Sequence, residues 1–437
     1  MSQQKTSSLK TYFDELEETN GDDECKAWLS RAFDSKVELA AFVAGSFNMS
    51  FRFSFDDGRP DVIIRFPKPG HTATAYRDEK IVNEVEFMEY LRQHTDIPIP
   101  RVHSWGLTAE SPQRLGPFII MDYVDGTLLS TILKQPDQED MVLNQNVNST
   151  TLDKIYDQIT SYMFQLSRLT FTGIGTISRD RGSSATWNVA GRPLTYNMNE
   201  LATVAGYPVE QFPNAPFDRA SDFLRSVANE HLTHLRTQRN LADDAEIAQQ
   251  RFIARHRFAQ LISKYYPEDC GLSIPFCDDM RPSKMLVDPE TLQITAVLDF
   301  EYTNSMPAEL TYDPPWWLLL SGPEMWLEHC AMDEFVTLYE PRMEQFLRAS
   351  NNPVVDRLSL PVCDSWRTGR FWFDYAARKS FDVDTIYWAA LHNGDDDAGV
   401  ELLDDKARAE MELFTQTKME QLKAYKEECT ARFSSET

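Results

Sequence analysis

Between Phe276 and Glu301 the chain reads Phe-Cys-Asp-Asp-Met-Arg-Pro-Ser-Lys-Met-Leu-Val-Asp, then Pro-Glu-Thr-Leu-Gln, then Ile-Thr-Ala-Val-Leu-Asp-Phe-Glu. Two short apolar runs flank a turn, so the segment predicts a β-hairpin bent at residues 288–293. Folding the runs about that turn sets Asp299 beside Ser283 and Lys284. It also gathers Asp278, Asp279, Asp299 and Glu301 at one end of the hairpin. Carboxylates crowded at a strand end repel one another unless a cation, backbone amides or a basic side chain intervenes. Mg²⁺ on Asp299 and Glu301 is one solution, and the ammonium of Lys284 is the other. Cys277 has no histidine near it in sequence, and its acidic surroundings raise a thiol pKa, which favours a packed thiol over a nucleophile.

The hairpin stands inside a region whose remaining spacing is helical. Runs at about residues 151–169, 218–238, 243–265, 324–349 and 404–427 carry apolar side chains three to four positions apart. Before Gly126 the texture is different. Met49 to Phe55 alternates, residues 56–60 form a turn, and Asp61 to Phe66 is a second strand, so pairing about that turn places Arg65 opposite about Phe51. The glycine of Gly45-Ser46-Phe47-Asn48 either serves a plain turn or lets backbone amides approach a phosphate. Residues 77–93 predict a helix with Val82, Val85, Met88 and Leu91 on one buried face. Glu84 and Glu89 both border that face; a buried carboxylate needs a partner, and Arg65 is a candidate. The apolar run 118–121 ends in a polar, hinge-like stop at residues 122–126. The expected fold class is α+β, with a small β-rich lobe and a larger helical lobe. The expected divisions are a helical extension over residues 1–36, the β-rich lobe over 37–125, the helical lobe over 126–403 and an acidic helix over 404–437.

Composition excludes several classes of function. Lys and Arg number 43 against 68 Asp and Glu, a formal charge of −25, which opposes binding to nucleic acid or to an anionic membrane. With 42% hydrophobic residues, 26 Phe, 16 Tyr and 9 Trp, the acidity does not come from a disordered chain. The six cysteines form no C-x-x-C pair, and no run approaches the ~18 apolar residues of a membrane span. A cytoplasmic protein with reduced thiols is expected. His231, His234 and His256 are expected to be solvated histidines on polar helices.

Five phrases in order carry a resemblance: Ile97-Pro-Ile-Pro-Arg-Val-His-Ser-Trp-Gly106, Gly116-Pro-Phe-Ile-Ile-Met-Asp-Tyr-Val-Asp-Gly126, Arg192-Pro-Leu-Thr-Tyr-Asn-Met-Asn-Glu-Leu201, Asp299-Phe-Glu301 and Pro314-Pro-Trp-Trp-Leu-Leu-Leu320. Together they resemble the aminoglycoside phosphotransferase and choline kinase branch of the protein-kinase-like fold, in its fungal phosphotransferase-like subgroup, over about residues 37–395. The resemblance implies a two-lobed kinase-like fold, ATP and Mg²⁺ as cofactors, and a small-molecule acceptor. It implies that Gly45, Ser46 and Asn48 lie over the nucleotide phosphates and that Arg65 replaces the usual strand lysine, with Glu84 as its helix partner. Asp122 and Val124 would belong to the adenine hinge. Asp279 would be the catalytic base, and Asp299, with Glu301, would hold the metal.

One departure from the pattern bears on the chemistry. Lys284 stands where the family has a metal-binding asparagine, and a protonated lysine has no lone pair for a metal. An ammonium ~4 Å from a dication costs about 8 kcal/mol at an effective dielectric of ~20, so Lys284 and a second Mg²⁺ exclude each other. A lysine pair is also expected to depress the Asp279 carboxyl and weaken it as a base. Two functions follow: an ATP-dependent small-molecule kinase with one metal, held by Asp299 and Glu301, in which Lys284 neutralises phosphate, or a kinase-shaped binding protein or repurposed enzyme that has lost phosphoryl transfer.

Overall fold

Alternation builds the first sheet. Strand β2 (Asn48–Phe55) turns Met49, Phe51, Phe53 and Phe55 inward, and β3 (Val62–Pro67) turns Val62, Ile64 and Phe66 onto the same core. The computed structural model describes residues 27, 29–31, 35–111, 114–180, 186–267, 271–349, 356–392 and 399–433. Most of the extension expected over residues 1–36, together with Cys25 and Cys270, lies outside the described residues. Contacts divide the chain into two compact units. The first comprises residues 1–171, 175–195 and 275–305, and the second residues 172–174, 196–274 and 306–437.

In the first unit β1 (Val37–Ala44), β2 and β3 are joined by β4 (Val102–Gly106) and β5 (Phe118–Asp122) in one antiparallel sheet of order β1-β2-β3-β5-β4. Arg65 pairs with Ser50, one residue from the expected Phe51. Beside the turn, the Asp61 carboxylate accepts a hydrogen bond from Arg52 Nε at 2.6 Å. Gly58, at φ 78°, makes the left-handed step of that turn. Helix α1 (Arg77–His94) corrects a second expectation. It buries Lys80, Ile81, Asn83, Glu84, Val85, Glu86 and Phe87 in near succession, so it has no single apolar face. Its charged groups tolerate burial because they meet partners: Arg65 for Glu84, Glu301 for Lys80, and the Arg179 amide for Glu86. Helix α2 (Ser149–Ser167) starts at Asn148, whose side chain accepts from Thr150 N at 2.9 Å. Beyond β6 (Thr127–Leu128) and the pair β7 (Thr176–Arg179) and β8 (Trp187–Gly191), the hairpin of β9 (Met285–Val287) and β10 (Ile294–Val297) completes this unit, with β9 also bonded to β6.

The second unit is helical. Helix α3 (Ala220–Thr237) packs on α4 (Ala245–Tyr265), and α4 packs on α5 (Asp405–Phe433), with Leu235 of α3, Phe252 and Ile253 of α4, Leu403, and Ala407 of α5 in one apolar cluster. The helix expected over 324–349 is two helices, Pro323–Leu327 and Met332–Arg348. His231 and His234 are buried, not solvated, because α3 turns them toward Arg255, which is 0% exposed. Arg255 donates to both Asp384 carboxylate oxygens at 2.9 and 2.8 Å, to His231 O at 2.7 Å, and to Ser380 O at 3.0 Å. The guanidinium also faces His234 Nδ1 at 3.1 Å. Burial and then the Arg255 charge push His234 down to about 3, so the ring is neutral and structural. His256 is likewise held below its ordinary value, first by burial.

Candidate functional site

The site grows from the open end of the β9–β10 hairpin. Residues 282–284 form a single 3-10 turn opened by Pro282, whose fixed φ suits the first helical position. The carbonyl of Lys284 accepts from Leu298 N at 2.8 Å, which extends the ladder beyond Met285↔Val297 and puts Asp299 next to the lysine. Asp299 adopts φ 68°, a left-handed backbone that costs a non-glycine residue roughly 1–2 kcal/mol. Its Oδ2 pairs with Lys284 Nζ, and its Oδ1 lies 3.5 Å from Arg65 Nη1. Lys284 Nζ is also 3.4 Å from Asp279 Oδ2, while Arg281 Nε donates to Asp279 Oδ1 at 2.5 Å.

These contacts set the protonation states. Burial pushes Asp299 up, but Lys284 and Arg65 outweigh it and hold the carboxyl below its ordinary value. Burial also opposes charge on Lys284, and Asp299 and Asp279 reverse that, so the ammonium is held above its usual range. Asp279 departs from the expectation drawn from Lys284. Burial raises it, and Arg281 and Lys284 only offset part of that rise. The side chain keeps 35% of its surface exposed, so a reacting group can reach it. Burial pushes the Cys277 thiol up to about 12, which leaves it a packed thiol.

Behind this front row stand two buried ion pairs on α1. Glu84 meets Arg65, whereas Glu89 is half exposed and pairs with Arg179. One turn earlier, Lys80 pairs with Glu301 and donates to Asn48 Oδ1 at 3.3 Å, and Asn48 Nδ2 donates to Glu301 Oε2 at 3.1 Å. Sequence reasoning missed Lys80 and Arg281. The available signal for Lys80 was its i, i+4 spacing from Glu84, which puts both on one side of a helix.

Gly45 N bonds Asn48 O at 2.9 Å, closing the β1–β2 turn with Gly45 and Ser46 exposed. A Cβ on Gly45 would meet nothing closer than 3.4 Å, so the turn itself does not demand glycine. Asp122 ends β5 with its carboxylate accepting from Arg101 N at 3.1 Å and lying 2.7 Å from His103 Nε2. The flanking Tyr123 N reaches Asp61 O at 3.1 Å, while the main chain of Val124 bonds to no described residue. Arg65 Nε, also buried, donates to no described group.

Residues 39–145, which carry the glycine turn, Arg65, Glu84 and the segment after β5, match the phosphotransferase enzyme family. Over this segment, and not over the rest of the chain, the protein is similar to that family. The sheet order, the Arg65–Glu84 pair and the hairpin bearing Asp279 and Asp299 make the fold α+β and protein-kinase-like. Among curated relatives, the altered inheritance of mitochondria protein 9 of Debaryomyces hansenii is 21% identical over 63% of this chain and 48% of its own length. The clavilactone A biosynthesis cluster protein Y of Ampulloclitocybe clavipes is 23% identical over 65% of each chain. The chain thus spans less than two thirds of these relatives. A solved aminoglycoside phosphotransferase, APH(4)-Ia, aligns over 83% of this chain and 98% of its own, at 14% identity and a TM-score of 0.44. Among the described residues no helix is long and apolar enough to cross a membrane.

The phosphotransferase-like segment and hairpin accommodate a divalent ion poorly. Mg²⁺ seeks oxygen donors in near-octahedral array. Asp299 presents one oxygen to Lys284 and the other to Arg65, and Glu301 Oε2 is shared by Lys80 and Asn48. Among the described residues no group of three or more His, Cys, Asp or Glu is placed to hold a metal. The Mg²⁺ expected on Asp299 and Glu301 does not fit these side chains as they stand.

Proposed function

We propose that the chain is a small-molecule phosphotransferase that takes its phosphoryl group from ATP and delivers it to a hydroxyl. The observation that carries the reading is the meeting of Arg65, Asp299, Lys284 and Asp279 at one hairpin end, in a chain whose family segment is that of phosphotransferases. Gly45, Ser46 and Asn48 would border the phosphates, and the open main chain of Val124, beside Asp122, would receive the base. Asp279 Oδ2 would accept the acceptor proton as the new P–O bond forms and the bond to the β-phosphate oxygen breaks. Arg65 and Lys284 would face the charge left on the departing diphosphate.

Nucleotide binding by calorimetry, followed by transfer of radiolabel from ATP to a panel of hydroxylated metabolites, tests this. Asp279→Asn is expected to retain nucleotide affinity and to lose transfer by about 100-fold or more, the usual scale for a lost general base. A chain that binds no nucleotide overturns the proposal.

The Lys284–Asp299 pair favours a second reading, a kinase-shaped binding protein or repurposed enzyme without phosphoryl transfer. It predicts nucleotide or metabolite binding with no transfer in the parent chain, and a large gain of transfer in Lys284→Asn.

A further inference from the structure

We infer that the nucleotide site dispenses with a divalent ion and that the Lys284 ammonium does the work of one; the inference rests on the phosphotransferase reading. An ammonium carries three N–H donors. Lys284 directs Nζ at Asp299, a carboxylate expected to hold the metal, and at Asp279 as well, and that leaves a donor for a phosphate oxygen. Arg65 Nη1, 3.5 Å from Asp299 Oδ1, is a second cationic donor beside that carboxylate.

Charge counting agrees with the geometry. Glu84, Asp279, Asp299 and Glu301 are four carboxylates, and Arg65, Lys80, Arg281 and Lys284 are four cations paired with them, so 4 − 4 = 0. A metal site of carboxylates is normally a pool of negative charge that attracts its ion; here Asp279, Asp299 and Glu301 are each already paired with a cation. A dication entering beside Lys284 would be repelled by its ammonium. Polyphosphate oxygens instead meet a donor already aimed and held by two carboxylates.

The test reads binding, not turnover. ATP affinity is measured by calorimetry in EDTA and in excess Mg²⁺, and Mn²⁺ uptake is followed by the loss of its free-ion EPR signal with and without ATP. The parent chain is expected to bind ATP with less than about a threefold difference between EDTA and Mg²⁺, under 1 kcal/mol, and to take up no nucleotide-dependent Mn²⁺. Lys284→Asn supplies an oxygen in place of the ammonium and is expected to gain Mn²⁺ uptake and at least about a tenfold affinity gain with metal. Lys284→Met, with neither charge nor oxygen, is expected to lose affinity in EDTA and gain no Mn²⁺; thermal melts establish that each variant is folded. ATP binding that collapses in EDTA overturns the inference and leaves the phosphotransferase reading intact. A folded Lys284→Asn chain that takes up no Mn²⁺ also overturns it. Absence of ATP binding in both buffers overturns the reading itself.

Discussion

Lys80→Met is expected to cost about 3–5 kcal/mol of stability, the scale for removing one partner of a buried ion pair. Lys80 is 0% exposed, and its ammonium pairs with Glu301, itself buried. Without it Glu301 keeps the Asn48 amide at 3.1 Å as a hydrogen-bond donor, which does not compensate a full buried charge. The same substitution frees Asn48 Oδ1, so the start of β2, next to the exposed glycine turn, loosens together with α1. Urea denaturation of the parent, Lys80→Met, Glu301→Gln and the double variant closes a cycle. The double variant should recover most of the loss, because replacing both partners with neutral groups of similar shape leaves no orphaned charge. A Lys80→Met midpoint within about 1 kcal/mol of the parent would mean that the pair contributes nothing the solvent cannot replace.

Lys80 also marks where the sequence stops being readable. The hairpin of residues 285–297 and its neighbouring Asp279, Lys284 and Asp299 were legible because strand pairing about a turn is a local rule, and the observed Met285↔Val297 register obeys it. Arg65 was legible for the same reason: it pairs with Ser50, next to the Phe51 about which the turn placed it. Glu84 and Glu89 stood level in the sequence; β3 decided between them by placing Arg65 under one of them. Lys80 showed only through its i, i+4 spacing from Glu84, because α1 is buried nearly all round and its polar residues follow no amphipathic stripe. Its partner is 221 residues away (301 − 80). His231 and His234 failed in the same way: helix α3 is polar enough to look solvated, and only the distant Asp384 and Ser380, which fix Arg255, turn that face into core. The expected depression of Asp279 failed because a charge partner can be read from spacing whereas burial cannot.

Burial that pattern reading overlooks gives the second large effect, a pH-dependent gain of stability in Glu230→Gln. Glu230 lies on the buried side of α3, 4% exposed, with Asn197 as its hydrogen-bond partner. Burial pushes its carboxyl up to about 8, against about 4.5 when unfolded, and the Asn197 hydrogen bond recovers little of that. Between those two values the folded state holds a proton that the unfolded state has released, so stability falls as pH rises. The contribution is intact below about 4.5 and is lost progressively up to about 8, amounting to about 3 kcal/mol at pH 7. Glutamine is neutral throughout and can accept the same Asn197 bond, so the variant should melt with the parent near pH 4.5 and above it by roughly 6–12 °C at pH 7. His231 and His234, held neutral by burial, titrate in the opposite sense at low pH, but they do so in both chains and cancel in the difference. Differential scanning calorimetry of the two chains from pH 4.5 to 8 measures it. Parallel melting curves across that range would show that Glu230 ionises inside the fold at its ordinary value, and that α3 admits water where the packing of this unit closes it.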